Sequence, residues 1–350
     1  MKRDLLNRDL RPQAVGGVLK CIAVGRRLPV LPAIFFLVAT IVAGCASGPE
    51  RTDVSTRTVQ VVATTSMIAD LAREIGGDRV NVAGLMGPGV DPHLYRATEG
   101  DVTRMTGADI IFFNGLHLEG KMAEVLEQVE RQGIVAEAVA EVIPDSVLLA
   151  PPEYEGNFDP HVWMDVSLWK QVAGAVAGAL ADLDTTHAVG YRERLADYSV
   201  RLDSLDAWVR QRLSDVNENQ RVLVTAHDAF NYFGLAYDFE VKGLQGISTA
   251  TEAGTADVQD LAAFVANRRI PAMFVESSVP PRSIEAVQAA VRSRGFDVRI
   301  GGNLYSDALG SPESGHDNYE SMIRHNINTI ADALTPQSVT ESPTMGVTAD

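Results

Sequence analysis

Seven histidines and two cysteines set the range of chemistry open to this 350-residue chain. Asp91-Pro92-His93 and Asp159-Pro160-His161 are one tripeptide used twice. Gly87-Pro88-Gly89-Val90 leads into the first and Glu155-Gly156-Asn157-Phe158 into the second, so both lie in loops. Proline fixes the backbone beside each ring, and Asp91 and Asp159 can each orient the loop or accept the second N–H of an imidazole. A single such histidine would be an ordinary structural residue. Two identical loops raise a shared ligand role to an even contest with that reading. His227 ends the apolar run 221–226, and in open α/β sheets ligands bind beyond the carboxyl ends of strands. Asp307 holds a comparable place after the run 297–302, where alone it would be a cap or turn residue. Glu276 also closes a strand-like run, as the partner of a ligand or as part of a capped turn. His117, His187, His316 and His325 have no such setting and are expected to be structural or exposed.

Three neutral imidazoles and a carboxylate form a nitrogen-rich, borderline-hard set that suits Zn²⁺, Mn²⁺ or Fe²⁺. Calcium prefers an all-oxygen shell. A thiolate site is excluded, because the two cysteines are Cys21 and Cys45, both in the N-terminal segment.

Placing those residues together requires elements that end at them. The runs 59–65, 79–85, 108–115 and 134–139 have strand character, and so do 221–227, 241–246, 271–278 and 297–302. Helical patterns between them imply βαβ units and parallel sheets. The expected class is therefore α/β: two lobes, each a roughly four-stranded parallel sheet flanked by helices. The interruption is itself a helix. Tyr191, Leu195, Tyr198, Leu202, Leu205 and Val209 recur every three or four residues, and 191–216 contains neither Gly nor Pro. Such a stripe predicts one long spine helix joining the lobes, stiff enough to keep their relative motion small.

Arg26 and Arg27 precede the apolar stretch 28–42, which ends at Ala43-Gly44-Cys45. That order is a secretory signal, and the cysteine after Val-Ala-Gly marks a lipidation site at Cys45. The expected layout is a signal over 1–44 and a lipidated tether over 45–57. An N-terminal lobe follows over 58–187, a linking helix over 188–216, a C-terminal lobe over 217–335 and a disordered tail over 336–350. The chain carries −16 overall, and the cationic signal makes the remainder more acidic still. Nucleic acid and anionic lipid are disfavoured as partners by that charge.

In order along the chain, several stretches resemble the zinc/manganese-binding substrate-binding lipoproteins of ABC importers, the TroA-like metal receptors. They are Gly-Pro-Gly-Val-Asp-Pro-His-Leu-Tyr (87–95), Phe-Asn-Gly-Leu-His-Leu-Glu-Gly-Lys-Met (113–122) and Asp-Pro-His-Val-Trp-Met-Asp (159–165). Thr-Ala-His-Asp-Ala-Phe-Asn-Tyr-Phe (225–233), Leu-Gln-Gly-Ile-Ser-Thr (244–249), Val-Glu-Ser-Ser (275–278) and Ser-Asp-Ala-Leu-Gly (306–310) complete the set. The resemblance spans about 59–333. It implies His93 and His161 as ligands from the first lobe, His227 and Asp307 from the second, and one Zn²⁺ or Mn²⁺ per chain as cargo, held in the cleft between the lobes. It also implies an importer permease and its ATPase subunits as partners, a monomer held to a bacterial membrane through acylated Cys45, and no enzymatic activity. His227 stands where manganese-selective relatives often have Glu. The His-rich loop of many zinc-dedicated relatives is missing, since 145–159 contains no histidine. These departures pull in opposite directions on the metal. Two other functions fit the same residues: a zinc hydrolase with Glu276 as its base, and a surface adhesin.

Overall fold

A computed structural model of the chain describes residues 53–152, 154 and 156–335. The signal segment 1–44, Cys45 and the tail 336–350 lie outside the described residues. The end of the expected tether is structured: Asp53 caps a 3-10 turn at Val54–Thr56, and Arg57 pairs with Asp109 at 2.6 Å.

The first half alternates β1 (Val59–Ala63), α1 (Ser66–Gly76), β2 (Val80–Gly84), α2 (Glu99–Thr106), β3 (Ile110–Phe113), α3 (Ala123–Arg131) and β4 (Val135–Ala138). The strands form one parallel sheet in the order β2-β1-β3-β4. In the central pair β3 is an unbroken run of isoleucine and phenylalanine, and β1 is apolar but for half-buried Gln60, because both their faces are largely covered. Thr65 caps α1 by accepting the Ile68 N–H, and Met67, Ile68, Leu71, Ala72 and Ile75 turn one buried face toward the core. Thr98 and Asp101 form a reciprocal capping box at the start of α2, which ends the long loop after β2.

Two helices then connect the halves: α4 (Val166–Leu183), capped by Asp165, and α5 (Ala188–Leu213). The 26 residues of α5 span about 39 Å. Tyr191, Tyr198, Leu202, Leu205 and Val209 of its predicted stripe are buried, and Leu195 is half-buried. Arg201 on α5 pairs with Glu74 of α1 and with Glu320 of the last helix, so one residue of the spine touches both halves.

The second half runs β5 (Val222–His227), α6 (Asn231–Tyr237), β6 (Glu240–Gln245), α7 (Thr255–Arg268), β7 (Ala272–Glu276), α8 (Arg282–Ser293), β8 (Arg299–Leu304) and α9 (Tyr319–Leu334). All eight strands lie within two residues of their expected positions, and the sheets are parallel as expected. The second half differs from a single four-stranded ladder. Its strands pair as β5–β6 and β7–β8, with β5 lying beside β7. At the site end of that seam the Glu276 carboxylate takes the place of a strand: Oε1 accepts the N–H groups of Ala226 and His227 at 2.7 and 2.9 Å.

Three clusters of apolar side chains make the core. One lies within the first half, between the sheet and α2–α3. A second lies within the second half, between its strands and α7–α8. The largest passes from β1 and α1 through α4 and α5 to α9, shared by both halves.

Candidate metal centre

His93, His161, His227 and Asp307 converge at one point. One donor atom from each lies within 4.8 Å of the other three, and all four side chains are buried. His161 and His227 sit at element ends, and His93 and Asp307 lie in loops that follow strands. His93 follows the turn after β2, and His161 opens the turn leading into α4. His227 is the last residue of β5, and Asp307 follows β8. The carboxyl ends of strands from both halves thus face the same point, which is what topology requires of a site in an α/β protein.

The closest approaches suit a single small ion, which Asp307 can face through either carboxylate oxygen. His93 Nε2 and His161 Nε2 are 3.3 Å apart, His227 Nε2 is 3.3 Å from Asp307 Oδ2, and His161 Nε2 is 3.5 Å from Asp307 Oδ1. Four donors at about 2.0–2.1 Å from a zinc ion would be separated by about 3.3–3.4 Å along each edge. Among the described residues, His227 Nε2 and Asp307 Oδ1 have no hydrogen-bond partner. Buried polar atoms are rarely left so, and a cation between them satisfies both.

Two of the three imidazoles are oriented from behind. Asp159 Oδ1 accepts from His161 Nδ1 at 2.7 Å, and Glu276 Oε2 accepts from His227 Nδ1 at 2.6 Å. Each carboxylate fixes the tautomer that directs the Nε2 lone pair inward. Asp91 departs from this pattern. It accepts the backbone N–H of His93 at 2.9 Å and the hydroxyl of Thr249 at 2.6 Å, so it orients the loop and leaves the ring alone.

The local field favours a cation. Burial opposes charge on Asp307, but His227 and His161 outweigh it and hold the carboxyl well below its ordinary range. Burial likewise lowers His161, yet Asp159 and Asp307 prevail and raise it to about 8. His227 is raised well above its usual value, against burial, by Asp307 and Glu276. His93 goes the other way: burial, with repulsion from His161 and His227, takes it down to about 3 despite Asp307.

The other histidines stay apart. His187 bonds Asp184 at 2.9 Å, His325 bonds the Asn303 carbonyl at 2.9 Å, and His316 packs against the His325 ring. His117 lines a cavity of about 510 Å³ beside α3. Several supporting residues had no role assigned from sequence. Asn231 donates to Asp159 Oδ2 at 3.1 Å, and Ser278 donates to Asp307 Oδ2 at 3.1 Å. Asn114, fixed by neighbouring Glu119, donates to the Pro160 carbonyl at 3.1 Å. The only sequence signal for them was membership of the stretches 113–122, 225–233 and 275–278.

The model of the ZnuA family, described as the periplasmic zinc-uptake complex component A, matches residues 61–333. The zinc-binding protein TroA of Treponema pallidum is 50% identical over 274 residues, covering 78% of this chain and 88% of TroA. Its solved structure, described as a periplasmic zinc-binding protein, superposes with a TM-score of 0.77, covering 80% of this chain and 100% of TroA. The manganese-binding lipoprotein MntA of Bacillus subtilis is 48% identical over 277 residues, 79% of this chain and 90% of MntA. A manganese ABC transporter substrate-binding lipoprotein, PsaA of Streptococcus pneumoniae, is 30% identical, covering 86% of this chain and 97% of PsaA.

Proposed function

We propose, from the premise that this chain belongs to the ZnuA family of zinc-uptake complex component A proteins, that it captures a divalent transition metal outside the cytoplasm and delivers it to an ABC importer. The cargo is one Zn²⁺ or Mn²⁺ per chain, held by His93, His161, His227 and Asp307. The observation that carries the reading is the convergence of those four buried side chains, two from each half, with one donor atom of each within 4.8 Å of the others. Relatives at almost equal identity are named for zinc and for manganese, so likeness does not choose between the metals. The nitrogen-rich set favours zinc by ligand softness and by the Irving–Williams order.

A receptor needs its cargo fully coordinated, with no open position for an activated water. Asp307 supplies the fourth donor. Glu276, the candidate base of a hydrolase, is committed to two backbone N–H groups and to His227 Nδ1, which disfavours the enzyme reading. The importer's permease would accept the ion when its ATPase subunits drive the exchange, with the receptor acting as a monomer. Acylated Cys45 would hold the chain to the bacterial membrane; no helix among the described residues is long and apolar enough to cross it.

Competitive titration of the metal-stripped protein with Zn²⁺ and Mn²⁺ tests this reading. One ion per chain is expected, with binding lost or weakened by at least about a hundredfold in His227→Ala, and the ratio of affinities names the cargo. Binding indifferent to His227 would sink the assignment.

A further inference from the structure

His93 differs from the other two imidazoles in what holds it. His161 and His227 each have Nδ1 tied to a buried carboxylate. His93 is held through its backbone N–H, and its Nε2 lies 3.3 Å from His161 Nε2 on the metal side. That backbone is gripped by Asp91 Oδ1 at 2.9 Å, and the other oxygen of the same carboxylate takes the Thr249 hydroxyl at 2.6 Å. Thr249 lies in the loop between β6 and α7, so Asp91 ties the His93 loop of the first half to the second half.

The same loop meets the second half at Gly89. Its φ of +70° and the 3.3 Å that a Cβ there would leave to the Ser277 carbonyl both favour glycine. The loop is also the solvent side of the site. His93 is 4% exposed where His161 and His227 are 0%, and the next residue, Leu94, is 50% exposed.

We infer that the Asp91–Thr249 hydrogen bond is a latch that holds His93 over the cargo ion, and that its opening is the first step of metal release. Thr249 is thus a positioning residue, acting through Asp91 on His93. With the latch open, His93 moves off with its loop, and the ion is left on His161, His227 and Asp307. Those three donors hold it less tightly than four and leave one side free for transfer. The inference rests on the metal-receptor reading above.

Thr249→Val keeps the shape of the side chain and removes the hydroxyl, Thr249→Ala removes it without an added methyl, and Thr249→Ser restores it. Zinc dissociation, followed by stopped-flow chase into excess chelator, is expected to be about tenfold faster in Thr249→Val and Thr249→Ala, the effect of losing one hydrogen bond to a carboxylate. Association should change by less than about twofold, because encounter does not require the closed loop. Thr249→Ser should return to the wild-type rate, and metal-free Thr249→Val should melt as a single folded species. Dissociation at the wild-type rate in both hydroxyl-free variants, or equally fast dissociation in Thr249→Ser, would overturn the latch. A wild-type protein that binds no zinc would instead overturn the receptor reading.

Discussion

Two of the candidate ligands, His161 and His227, work as pairs with the carboxylate behind each, and pH acts on those pairs. In the metal-free protein His161 titrates near 8, and His227 is raised well above its ordinary value, so both imidazoles hold protons at neutral pH. A metal ion needs them neutral and must expel those protons on entry. The sign follows: affinity rises as pH climbs toward 8 and falls below it, by up to about tenfold per pH unit for each proton displaced. His93, lowered to about 3, is already neutral and adds nothing across that range. Zinc affinity measured by chelator competition is therefore expected to be at least about tenfold weaker at pH 6 than at pH 8. A flat profile would mean that the imidazoles do not bind the ion. At this scale much was legible from sequence. The repeated Asp-Pro-His and the strand-terminal His227 marked candidates, the resemblance joined them to Asp307, and the four side chains do meet. The partner of Asp91 was not legible: Thr249 lies 158 residues away, and a hydroxyl in a loop carries no pattern of its own.

Among the elements, α5 packs against both halves that supply the candidate ligands. Its buried stripe packs into the cluster shared by both halves, and Arg201 pairs with α1 on one side and α9 on the other. Leu202→Ala opens a cavity at a fully buried position and should cost about 2–5 kcal/mol in urea unfolding of the metal-free protein. Val200→Ala, at a position 66% exposed, should stay within about 0.5 kcal/mol. Equal effects would mean that the stripe does not bear the packing. The helix and all eight strands were legible because periodicity and strand-end residues are local signals. The seam between β5 and β7 was not, because it depends on Glu276 reaching across to the backbone of another strand. The ordering of residues 53–57 was hidden for the same reason, since it depends on Arg57 finding Asp109 far along the chain.

Across the whole molecule, the two halves are tied by more than the helix. Trp163 Nε1 donates to the Ser306 carbonyl at 2.8 Å, the Tyr319 hydroxyl to the Trp163 carbonyl at 2.8 Å, and Leu309 N–H to Ser66 Oγ at 2.8 Å. With a shared core and these bonds around the site, opening by a wide hinge would expose apolar surface and break several buried hydrogen bonds. Release by local movement of one loop, the one that carries His93, costs far less. The central claim remains that one ion sits where the four ligands meet. A crystal of the zinc-loaded protein measured on both sides of the zinc absorption edge tests it most directly. The account predicts a single anomalous peak per chain within about 2.0–2.2 Å of His93 Nε2, His161 Nε2, His227 Nε2 and an Asp307 oxygen. A peak elsewhere, or one lacking ligands from either half, would contradict it.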